Sequence, residues 1–352
     1  MNRWPKAADQ GAEVITTTTT ASTVFIINPA SGRGSALDLW KTVKRRISSA
    51  GVEFREYIAD GPGSAERLAR DAVYAGVNRV IAVGGDGTLN EAVNGYLADS
   101  GQPVNAAASL ALIPAGTGSD FRRSVALQTI EDALRTLCEG RTHQIDAGMV
   151  RYHLMDGKTV NRFFLNVVSF GLGGRVSATV NRWRSKLSRK LSGQFVFSAA
   201  AVAGLADYKL HNVSISMDDL PPVNARSDLL VVANGRFAGS GMMLAPIASL
   251  DDGLLDVVVT DGAGRLDVIK ELRGIRRGDY VKNPKVRQYR AREITKTPDC
   301  RMPIDIDGES GGFTPARLRV LPGVIKFCVP HEIKGGSQAT LYSPKSGFTP
   351  DH

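Results

Sequence analysis

The sequence predicts an α/β protein with a parallel-sheet domain at its N-terminal end and a mostly antiparallel β domain after it. Over roughly the first 125 residues, β-branched runs alternate with stretches of helical periodicity, and the links between them are short. That alternation is typical of a parallel sheet covered by helices. After Asp146 the pattern changes to strand-like runs separated by turns, and one helical region, 176–208, interrupts them.

Four strands are predicted in the N-terminal domain, and the first of them, a β-branched run, is expected to be buried. They are 23–27, 52–58, 79–83 and 109–113. The first, third and fourth of them run directly into glycine-rich loops. Because the carboxyl ends of parallel strands lie at one edge of a sheet, where ligands bind in this class of fold, we expect the three loops to meet there.

The helices between these strands are predicted from apolar spacing and from end signals. Apolar residues at helical spacing mark the first helix: Ala36, Trp40, Val43 and Ile47. Ser64 is expected to cap the second helix. Thr88 and Glu91 match the T-x-x-E capping box, so a third helix is expected to begin at the glycine-rich loop 84–90 with its free N–H groups facing outward.

The C-terminal half predicts six strand regions, which are 163–170, 213–217, 228–232, 254–260, 285–289 and 318–329. The chain is therefore divided into a disordered leader, 1–22, an α/β domain, 23–147, a β-rich domain, 148–317, and a flexible tail, 331–352. The leader lacks the apolar segment of a signal peptide.

Charge, aromatic content and cysteine count exclude some classes of protein but do not identify the ligand. The formal net charge of +9 is compatible with a phosphate ligand, an anionic membrane surface or nucleic acid. Aromatic residues make up only 7% of the chain and are not interleaved with the basic runs, so nucleic acid is not expected as a partner. The three cysteines are far apart and form no CxxC, which predicts neither a disulfide framework nor a zinc site and indicates a reducing, cytoplasmic location.

Any membrane contact is expected to be peripheral, at the membrane surface, and not through a spanning helix. The longest nearly continuous apolar stretch, 195–206, is shorter than the ~20 residues that span a bilayer. A basic cluster precedes it: Arg182, Arg184, Lys186, Arg189 and Lys190. This cluster is either a solvated helix face or an electrostatic docking site for anionic lipid, with the apolar helix beside it.

The loop 84–90, with the sequence GGDGTLN, is the strongest candidate for chemistry. Its glycines let a ligand approach the backbone, and the helix that follows offers N–H donors to an anion. A carboxylate, Asp86, lies in the middle of this anion site and requires a compensating partner such as Mg²⁺ or a hydroxyl proton. A tight turn with an ordinary helix cap is the alternative interpretation.

Two further loops have the same ambiguity when each is taken alone. In 28–34, Ser31, Gly32 and Gly34 offer N–H donors ahead of a helix and Arg33 adds charge. In 116–120, hydroxyls and a carboxylate follow a strand. Each loop alone can be explained as an ordinary turn. Three such loops at one edge of the sheet favour a common phosphate-binding site over chance. The P-loop pattern and the protein-kinase motifs are absent.

Together these residues resemble the diacylglycerol kinase catalytic family, which includes sphingosine, ceramide and bacterial lipid kinases. The resemblance extends from about 23 to 330 in order and spacing. Its motifs are Asn28-Pro29-x-Ser31-Gly32, Gly84–Glu91, Pro114-x-Gly116-Thr117-Gly118-x-Asp120-Phe121, Asp146-x-Gly148, Phe164-Leu165-Asn166 with Gly171, Asn234-Gly235 with Gly239 and Gly241, Ala245-Pro246, Asp251–Asp256 and Asp307-Gly308-Glu309. The GGDG element alone is less specific, because NAD kinases and phosphofructokinases are similar there.

The resemblance implies a fold and a set of site residues. The first domain would be NAD kinase/phosphofructokinase-like and bind ATP, the second would be a β-sandwich, and a segment near 318–330 would return to complete the first. Glu309 would be the general base, and Asp86 is expected beside the transferred phosphoryl group. The nucleotide would be held by Asn28, Pro29, Ala30, Ser31, Gly32, Gly84, Gly85, Asp86, Gly87, Thr88, Leu89, Asn90 and Thr117. Mg²⁺ would be bound by Ser249, Asp252 and Leu254.

The predicted function is an ATP-dependent lipid kinase that acts on a membrane lipid hydroxyl. A kinase of a soluble metabolite, related to NAD kinase, is the nearest alternative, and a non-catalytic lipid- or nucleic-acid-binding protein is a further one. Asp251-Asp252-Gly253 and Asp307-Gly308 also have a plain interpretation as turns. The acceptor lipid and the oligomeric state, including a homodimer, stay open.

Overall fold

The structure is a computed structural model, and it describes residues 22–116, 119–127, 129–184, 193–272, 274–298 and 301–330. Several sequence predictions fall on residues outside these ranges. They concern Thr117, the leader up to residue 21, the tail 331–352, and Lys186, Arg189 and Lys190 of the basic cluster.

The described residues form helices and strands in the predicted alternation, followed by a β-rich half. The strands are β1 Thr23–Ile27, β2 Arg55–Ile58, β3 Arg79–Gly84, β4 Ser109–Pro114, β5 Thr142–His153, β6 Thr159–Phe164, β7 Val167–Gly171, β8 His211–Met217, β9 Val223–Ser227, β10 Leu229–Ala233, β11 Phe237–Ala238, β12 Met242–Met243, β13 Leu255–Thr260, β14 Val286–Ala291, β15 Glu293–Pro298, β16 Pro303–Ile306 and β17 Glu309–Cys328. The α-helices are α1 Ala36–Ser49, α2 Ser64–Tyr74, α3 Asp86–Tyr96, α4 Phe121–Ser124, α5 Ile130–Glu139, α6 Leu172–Arg184, α7 Gly193–Gly204 and α8 Arg265–Glu271.

The N-terminal half contains the predicted parallel sheet. Its strand order is β2-β1-β3-β4, and every pair in it is parallel. All of β1 is buried, and the four apolar residues that predicted α1 are the buried residues of that helix. The helix faces therefore pack on the sheet as their periodicity indicates.

Three local predictions in this half are wrong in detail. β2 begins at Arg55 rather than at residue 52. Ser64 is the first residue of α2 and not its cap, which is Gly63. The capping box of α3 does not form, because Glu91 reaches α2 instead, where its carboxylate accepts hydrogen bonds from the N–H groups of Gly63 and Ala65 at 2.9 and 3.0 Å. The T-x-x-E pattern is present, but the Glu91 carboxylate binds the N-terminus of the neighbouring helix α2 instead of that of α3.

The C-terminal half is a β-sandwich. One layer is ordered β14-β13-β10-β7-β16, and the other is β6-β5-β17-β15-β8-β9. Buried side chains from both layers form a single apolar cluster. The predicted strand 163–170 is split into β6 and β7, because Leu165 and Asn166 turn their backbone groups toward other segments, as described below.

The long strand β17 connects the two halves. It pairs with β16 at its start, with β15 and β5 along its length, and with β4 in parallel at Phe327. Phe327, Cys328 and Val329 are buried in the N-terminal core. The chain thus returns to the first sheet after completing the sandwich.

The predicted helical insertion consists of α6 and α7, which contact each other over an apolar cluster that includes Leu172, Val176 and Ala200. None of the helices in the described ranges has both the length and the apolar character needed to cross a bilayer.

Candidate active site

The three glycine-rich loops meet at the carboxyl edge of the parallel sheet and touch through their backbones. A Cβ built on Gly116 would lie 2.7 Å from the Cα of Gly85, which is closer than real Cβ atoms approach. Gly32 has a φ of +59°, and a Cβ there would overlap the carbonyl oxygen of Ala115. The approach of the loops therefore requires glycine at these positions.

Side chains also join the first loop to the second. The Asn28 amide donates to the hydroxyl of Thr88 at 2.9 Å, and the Ser31 hydroxyl lies 3.4 Å from the same oxygen. The Asn28 carboxamide oxygen accepts from the N–H of Ala30 at 3.0 Å, which fixes the turn at Pro29. The first loop is held beside the N-terminus of α3, which begins at Asp86.

Asp86 joins the second loop to the third. Its carboxylate accepts hydrogen bonds from the N–H groups of Asp120 at 2.7 Å and Phe121 at 3.0 Å. Burial raises the pKa of Asp86, and these two N–H groups oppose the shift. Asp86 thus has a structural role in the loop edge beside any role in chemistry.

Asp120 extends this contact into the C-terminal half. Its Oδ2 accepts a hydrogen bond from the N–H of Ser240 at 2.8 Å, and Arg123 lies 3.6 Å from its Oδ1. Burial, together with the nearby charge of Asp86, raises the pKa of Asp120 to about 7. Asp86 is half-buried and Asp120 is buried, and two carboxyls this close favour a state in which one of them holds a proton.

The remaining residues of the second loop point into the protein. Thr88 and Leu89 are buried, Leu89 within the N-terminal core. The Asn90 amide donates to the carbonyl of Phe163 at 3.0 Å and to Asp307 Oδ2 at 2.9 Å. The side chains of Leu89 and Asn90 therefore fix α3 in place, and neither side chain is directed to the loop edge.

Asp307 anchors the β16–β17 turn against this helix. Besides Asn90, its carboxylate accepts from the N–H groups of Leu165, Asn166 and Val167, all at 2.8–2.9 Å. These bonds are the reason that the chain between β6 and β7 leaves the sheet. Asp307 and Gly308 have φ values of +49° and +91°, as expected for a tight two-residue hairpin turn.

Glu309 follows the turn and faces the glycine-rich edge. A Cβ built on Gly87 would lie 3.7 Å from Glu309 Oε1, so this carboxylate is adjacent to the second loop although 222 residues separate the two positions in sequence. The side chain is exposed. The structure therefore brings Glu309 and the Asp86 loop together, which the sequence separation alone did not indicate.

The hairpin carries a third acid besides Asp307 and Glu309: Asp305, which lies in β16 and is buried. Its Oδ2 accepts from the Ser169 hydroxyl at 3.3 Å, and Oδ1 has no hydrogen-bond partner among the described residues. Burial raises the pKa of Asp305 to about 7, and the negative charges of Asp307 and Glu309 add to the shift.

The predicted magnesium ligands lie in a separate turn, before β13. Asp252 forms an ion pair with Arg290, and its Oδ1 accepts from the N–H of Leu254 at 3.1 Å. Asp256 is buried nearby with its carboxylate 3.5 Å from Arg290, and neither carboxylate oxygen has a hydrogen-bond partner in the described part of the chain. Burial raises the pKa of Asp256 to about 7.

The donors of this turn have the right chemistry for a hard cation. Carboxylate and carbonyl oxygens are the ligands that Mg²⁺ prefers, and the Asp256 carboxylate, which accepts no hydrogen bond from the described residues, leaves acceptor capacity beside Arg290. Across the described ranges no group of three His, Cys, Asp or Glu side chains is arranged to hold a metal. The predicted set contains one carboxylate and the backbone carbonyls of Ser249 and Leu254, so that finding leaves it a prediction.

The sequence-based hypothesis did not assign two residues the contacts that they make. Asp307 was interpreted as part of a turn, and Asp120 as a loop carboxylate that favours catalysis. In the structure the half-buried Asp307 and the buried Asp120 both accept hydrogen bonds from backbone N–H groups of distant segments. Both residues belong to the family motifs, so the sequence indicated that they matter. The sequence could not indicate which N–H groups they bind, because those groups are brought near by packing between distant segments.

Two family models match the chain in succession. Residues 22–150 match the diacylglycerol kinase catalytic domain, and residues 166–329 match the YegS C-terminal NAD kinase beta sandwich-like domain. The two matches meet near the boundary at which the sequence changes from the α/β half to the β-rich half.

Individual proteins match over nearly the whole chain. A diacylglycerol kinase of Staphylococcus saprophyticus is 29% identical over 311 residues, which is 88% of this chain and 96% of that protein. A diacylglycerol kinase of Bacillus subtilis is 28% identical over 310 residues, with coverages of 88% and 96%. The crystal structure of a diacylglycerol kinase from Bacillus anthracis superimposes with a TM-score of 0.64 at 20% identity, and covers 88% of this chain and 97% of its own.

At 20% identity the crystal structure supports the fold alone. The relationship to diacylglycerol kinases rests on the two family models. Residues 22–150 therefore belong to the diacylglycerol kinase catalytic domain family, and residues 166–329 to the family of YegS C-terminal sandwich domains.

Proposed function

We propose that this protein is an ATP-dependent lipid kinase that transfers the γ-phosphoryl group of ATP to the hydroxyl of a membrane lipid. The supporting relatives are named diacylglycerol kinases, which are phosphotransferases with an alcohol acceptor. One geometric observation carries the proposal: Glu309 Oε1 lies 3.7 Å from the point that a Cβ on Gly87 would occupy. A carboxylate from the sandwich is thereby adjacent to a loop suited to phosphate.

In this proposal the loop edge binds the nucleotide. The N-terminus of α3 and the backbone N–H groups of the loops are suited to hold the phosphates, because free N–H donors at a helix start attract anions. Asn28, Ser31 and Thr88 keep the loops together at 2.9–3.4 Å. The protein contributes mainly positioning and electrostatic stabilisation, as is usual in phosphoryl transfer.

Glu309 accepts the proton of the acceptor hydroxyl. It is exposed beside the loop edge, so an arriving lipid headgroup can reach it, whereas Asp86 is half-buried and its carboxylate already accepts hydrogen bonds from two N–H groups. Asp86 acts by holding the second and third loops in register under the γ-phosphate. This division of roles makes Glu309 the base and Asp86 a positioning residue.

Mg²⁺ would be held at the turn before β13 by the Asp252 carboxylate and the carbonyls of Ser249 and Leu254. When bound, the cation supplies positive charge and ordered water to the site. Arg290 now forms the ion pair with Asp252 and lies 3.5 Å from Asp256, so these two acids already share a positive partner.

The proposal includes transient contact with an anionic membrane surface. In α7, Phe195 and Val202 are 60% and 54% exposed, and in α8, Leu266 is 73% exposed. Exposed apolar helix faces next to basic residues suit interfacial binding. Arg182 lies near the end of α6, where the basic cluster begins.

The experiment is a transfer assay with γ-labelled ATP and a panel of acceptors: diacylglycerol, a sphingoid base, ceramide, phosphatidylglycerol and NAD. We expect label in a lipid product, identified by mass spectrometry, and none in NAD. Label in NAD alone would favour the soluble-metabolite kinase. ATP binding without transfer to any acceptor would remove the kinase proposal.

A further inference from the structure

A buried carboxyl, Asp305, lies in β16 two residues before the β16–β17 turn, and the proposed function gives it no role. Its side chain is enclosed because α6 packs directly on β16 and β7. Two glycines of the helix allow this approach: a Cβ on Gly173 would lie 2.1 Å from Ser169 Oγ, and one on Gly174 would lie 2.6 Å from the carbonyl oxygen of Pro303. Asp305 is therefore only 8% exposed.

Hydroxyl groups from both packed layers face this carboxyl. The Ser169 hydroxyl of β7 donates to Oδ2 of Asp305 at 3.3 Å. The Ser177 hydroxyl of α6 lies close enough that hydrogen bonding to it lowers the pKa of Asp305, although it donates to another acceptor. Oδ1 accepts no hydrogen bond from the described residues. A neutral carboxyl tolerates such burial, whereas a carboxylate there needs a further donor.

The present acceptor of the Ser177 hydroxyl is the turn itself. Ser177 donates to the carbonyl oxygen of Gly308 at 2.8 Å, and the Asn181 amide, one helical turn later, lies 3.4 Å from the same oxygen. That carbonyl and the N–H of Glu309 belong to one planar peptide group. The hydrogen bond from Ser177 therefore fixes the peptide group from which the Glu309 residue extends.

Asp305 and the Gly308 carbonyl compete for this hydroxyl. A serine hydroxyl has one proton, so it donates to one acceptor at a time. An ionised carboxylate is the stronger acceptor, because hydrogen bonds to a charged group are roughly twice as strong as neutral ones. Burial raises the pKa of Asp305 to about 7, and the negative charges of Asp307 and Glu309 add to the shift. The competition is therefore decided near neutral pH.

The charged groups of the hairpin favour the neutral form of this carboxyl. Asp307 and Glu309 are both acids, so an ionised Asp305 would be the third negative charge in the hairpin. The next charged residue of β17, Arg317, lies in the part of the strand that pairs with β15 and β5.

The elements packed against the hairpin add no partner for the charge. β7 and β10 have no titratable side chain. Among the described side chains of α6 the charged ones are Arg175, which forms an ion pair with Asp228, and Arg182, which is exposed. Ser169 and Ser177 are therefore the polar groups that an ionised Asp305 can recruit.

We propose that Asp305 is a positioning residue for Glu309 and acts through Ser177. While Asp305 is neutral, the Ser177 hydroxyl holds the carbonyl of Gly308, and Glu309 stays beside the glycine-rich edge. When Asp305 loses its proton to solvent, it accepts the hydrogen bond from Ser177 and the turn is released; the Ser177 hydroxyl keeps its own proton throughout. The inference rests on the proposed function and adds a pH-dependent control of its base.

The test compares wild type, Asp305→Asn and Ser177→Ala with a matched control, Asp219→Asn, in an exposed turn. Values of kcat and KM are measured from about pH 5.5 to about pH 9 with ATP and dioctanoylglycerol in detergent micelles, a lipid without a titratable group. Hydrogen–deuterium exchange of the hairpin, corrected for the intrinsic exchange rate at each pH, reports on the turn without turnover. Circular dichroism confirms that each variant is folded.

In wild type we expect kcat to fall about tenfold as the pH rises through about 7, with the KM for ATP unchanged, because a misplaced base slows only the chemical step. Exchange of the hairpin should increase over the same range. Asp305→Asn cannot ionise, so above pH 7 its kcat should exceed that of wild type and its hairpin should stay protected. Asp219→Asn should follow wild type. A purely structural role for Asp305 would give no gain in activity at alkaline pH.

Ser177→Ala removes the hydroxyl and tests the same link independently of Asp305. Its kcat should already be about tenfold below wild type at pH 6 and should show no further fall, because the hydrogen bond to Gly308 is absent at every pH. Its hairpin should exchange rapidly throughout.

Parallel pH profiles of kcat and of hairpin exchange in wild type and Asp305→Asn would overturn the inference. If no phosphoryl group reaches any lipid acceptor, but exchange of the hairpin increases with pH in wild type and not in Asp305→Asn, the kinase proposal fails and the control of the turn by Asp305 stands. If lipid is phosphorylated and Asp305→Asn shows the alkaline decline of wild type, the kinase proposal stands and the role of Asp305 is wrong.

Discussion

The two sides of the candidate active site are built in different ways. The glycine-rich edge is held by backbone contacts between loops, for example the 2.7 Å approach of a Cβ at Gly116 to the Cα of Gly85. The Glu309 side is held by side chains: the Asp307 carboxylate accepts hydrogen bonds from three consecutive N–H groups and from Asn90, and the Ser177 hydroxyl donates to the carbonyl of Gly308.

This difference predicts which substitutions destabilise each side of the site. The loop edge is destabilised where an added Cβ would overlap backbone, as at Gly116, because neighbouring backbone cannot move aside. The turn is destabilised when the half-buried Asp307 carboxylate is removed, because several N–H groups then lose their acceptor. The nucleotide side and the acceptor side should therefore respond separately to mutation.

The largest expected effect is on turnover, from Glu309→Gln. The glutamine keeps the shape of the side chain and cannot act as a base, so kcat should fall by about 10²–10⁴-fold, the usual contribution of general-base catalysis. ATP affinity, measured by calorimetry, should stay close to wild type because the loop edge is intact. Glu293→Gln, an exposed glutamate of β15, is the matched control. Near-normal kcat in Glu309→Gln would mean that Asp86 is the base or that no protein base is needed.

The next effect is on stability, from Asp307→Ala. Removing the common acceptor of four donors should lower the free energy of unfolding by about 2–4 kcal/mol and also lower kcat, since Glu309 loses its support. Asp219→Ala, in an exposed turn, controls for loss of a charge. Denaturant unfolding measures the first effect, and an unchanged midpoint would contradict the anchoring role.

A paired substitution separates packing from nucleotide binding on the other side. Gly116→Ala should cost about 1–3 kcal/mol, because its Cβ meets backbone at 2.7 Å. A Cβ on Gly85 lies at an ordinary 3.6 Å from Gly116, so Gly85→Ala should keep the stability of wild type and weaken ATP binding. Calorimetry and thermal unfolding of both variants test this pair. A stable Gly85→Ala with wild-type ATP affinity would show that the second loop is not the phosphate site.

The smallest expected effect is a pH dependence from Asp305. Its pKa in the folded protein is about 7, against an ordinary value of 3.8. Between about pH 4 and pH 7 the unfolded chain has lost this proton and the folded protein still holds it, so the stabilising contribution of Asp305 falls over that window and is constant above it. In Asp305→Asn the loss of unfolding free energy over the window should be smaller by at least about 1 kcal/mol. Parallel curves for wild type and variant would contradict the raised pKa.

Much of the fold was accessible from the sequence because its signals are local. The β-branched run 23–27 became β1 unchanged, and the four periodic apolar residues of α1 are its buried face. The β-sandwich and the family relationship implied by the motifs are confirmed. The order of strands in the sandwich was not predicted, because β17 pairs with β16, β15, β5 and β4 through contacts between distant segments.

The site was predictable as a set of residues and not as a geometry. The T-x-x-E pattern at Thr88 suggested a local cap, yet Glu91 binds the N-terminus of α2, because a nearby helix competed for the same carboxylate. The bonds from Asp86 to the third loop and from Asp307 to residues 165–167 likewise join segments far apart in sequence. Only the three-dimensional structure shows that these carboxylates fasten loops together.

The central claim, that the transferred phosphoryl group lies between the glycine-rich edge and Glu309, is tested most directly by a crystal structure with a non-hydrolysable ATP analogue and Mg²⁺. We expect the phosphates at the loops 28–34 and 84–90, with the γ-phosphate between Gly87 and Glu309. A nucleotide bound elsewhere, with its γ-phosphate away from Glu309, would contradict the account.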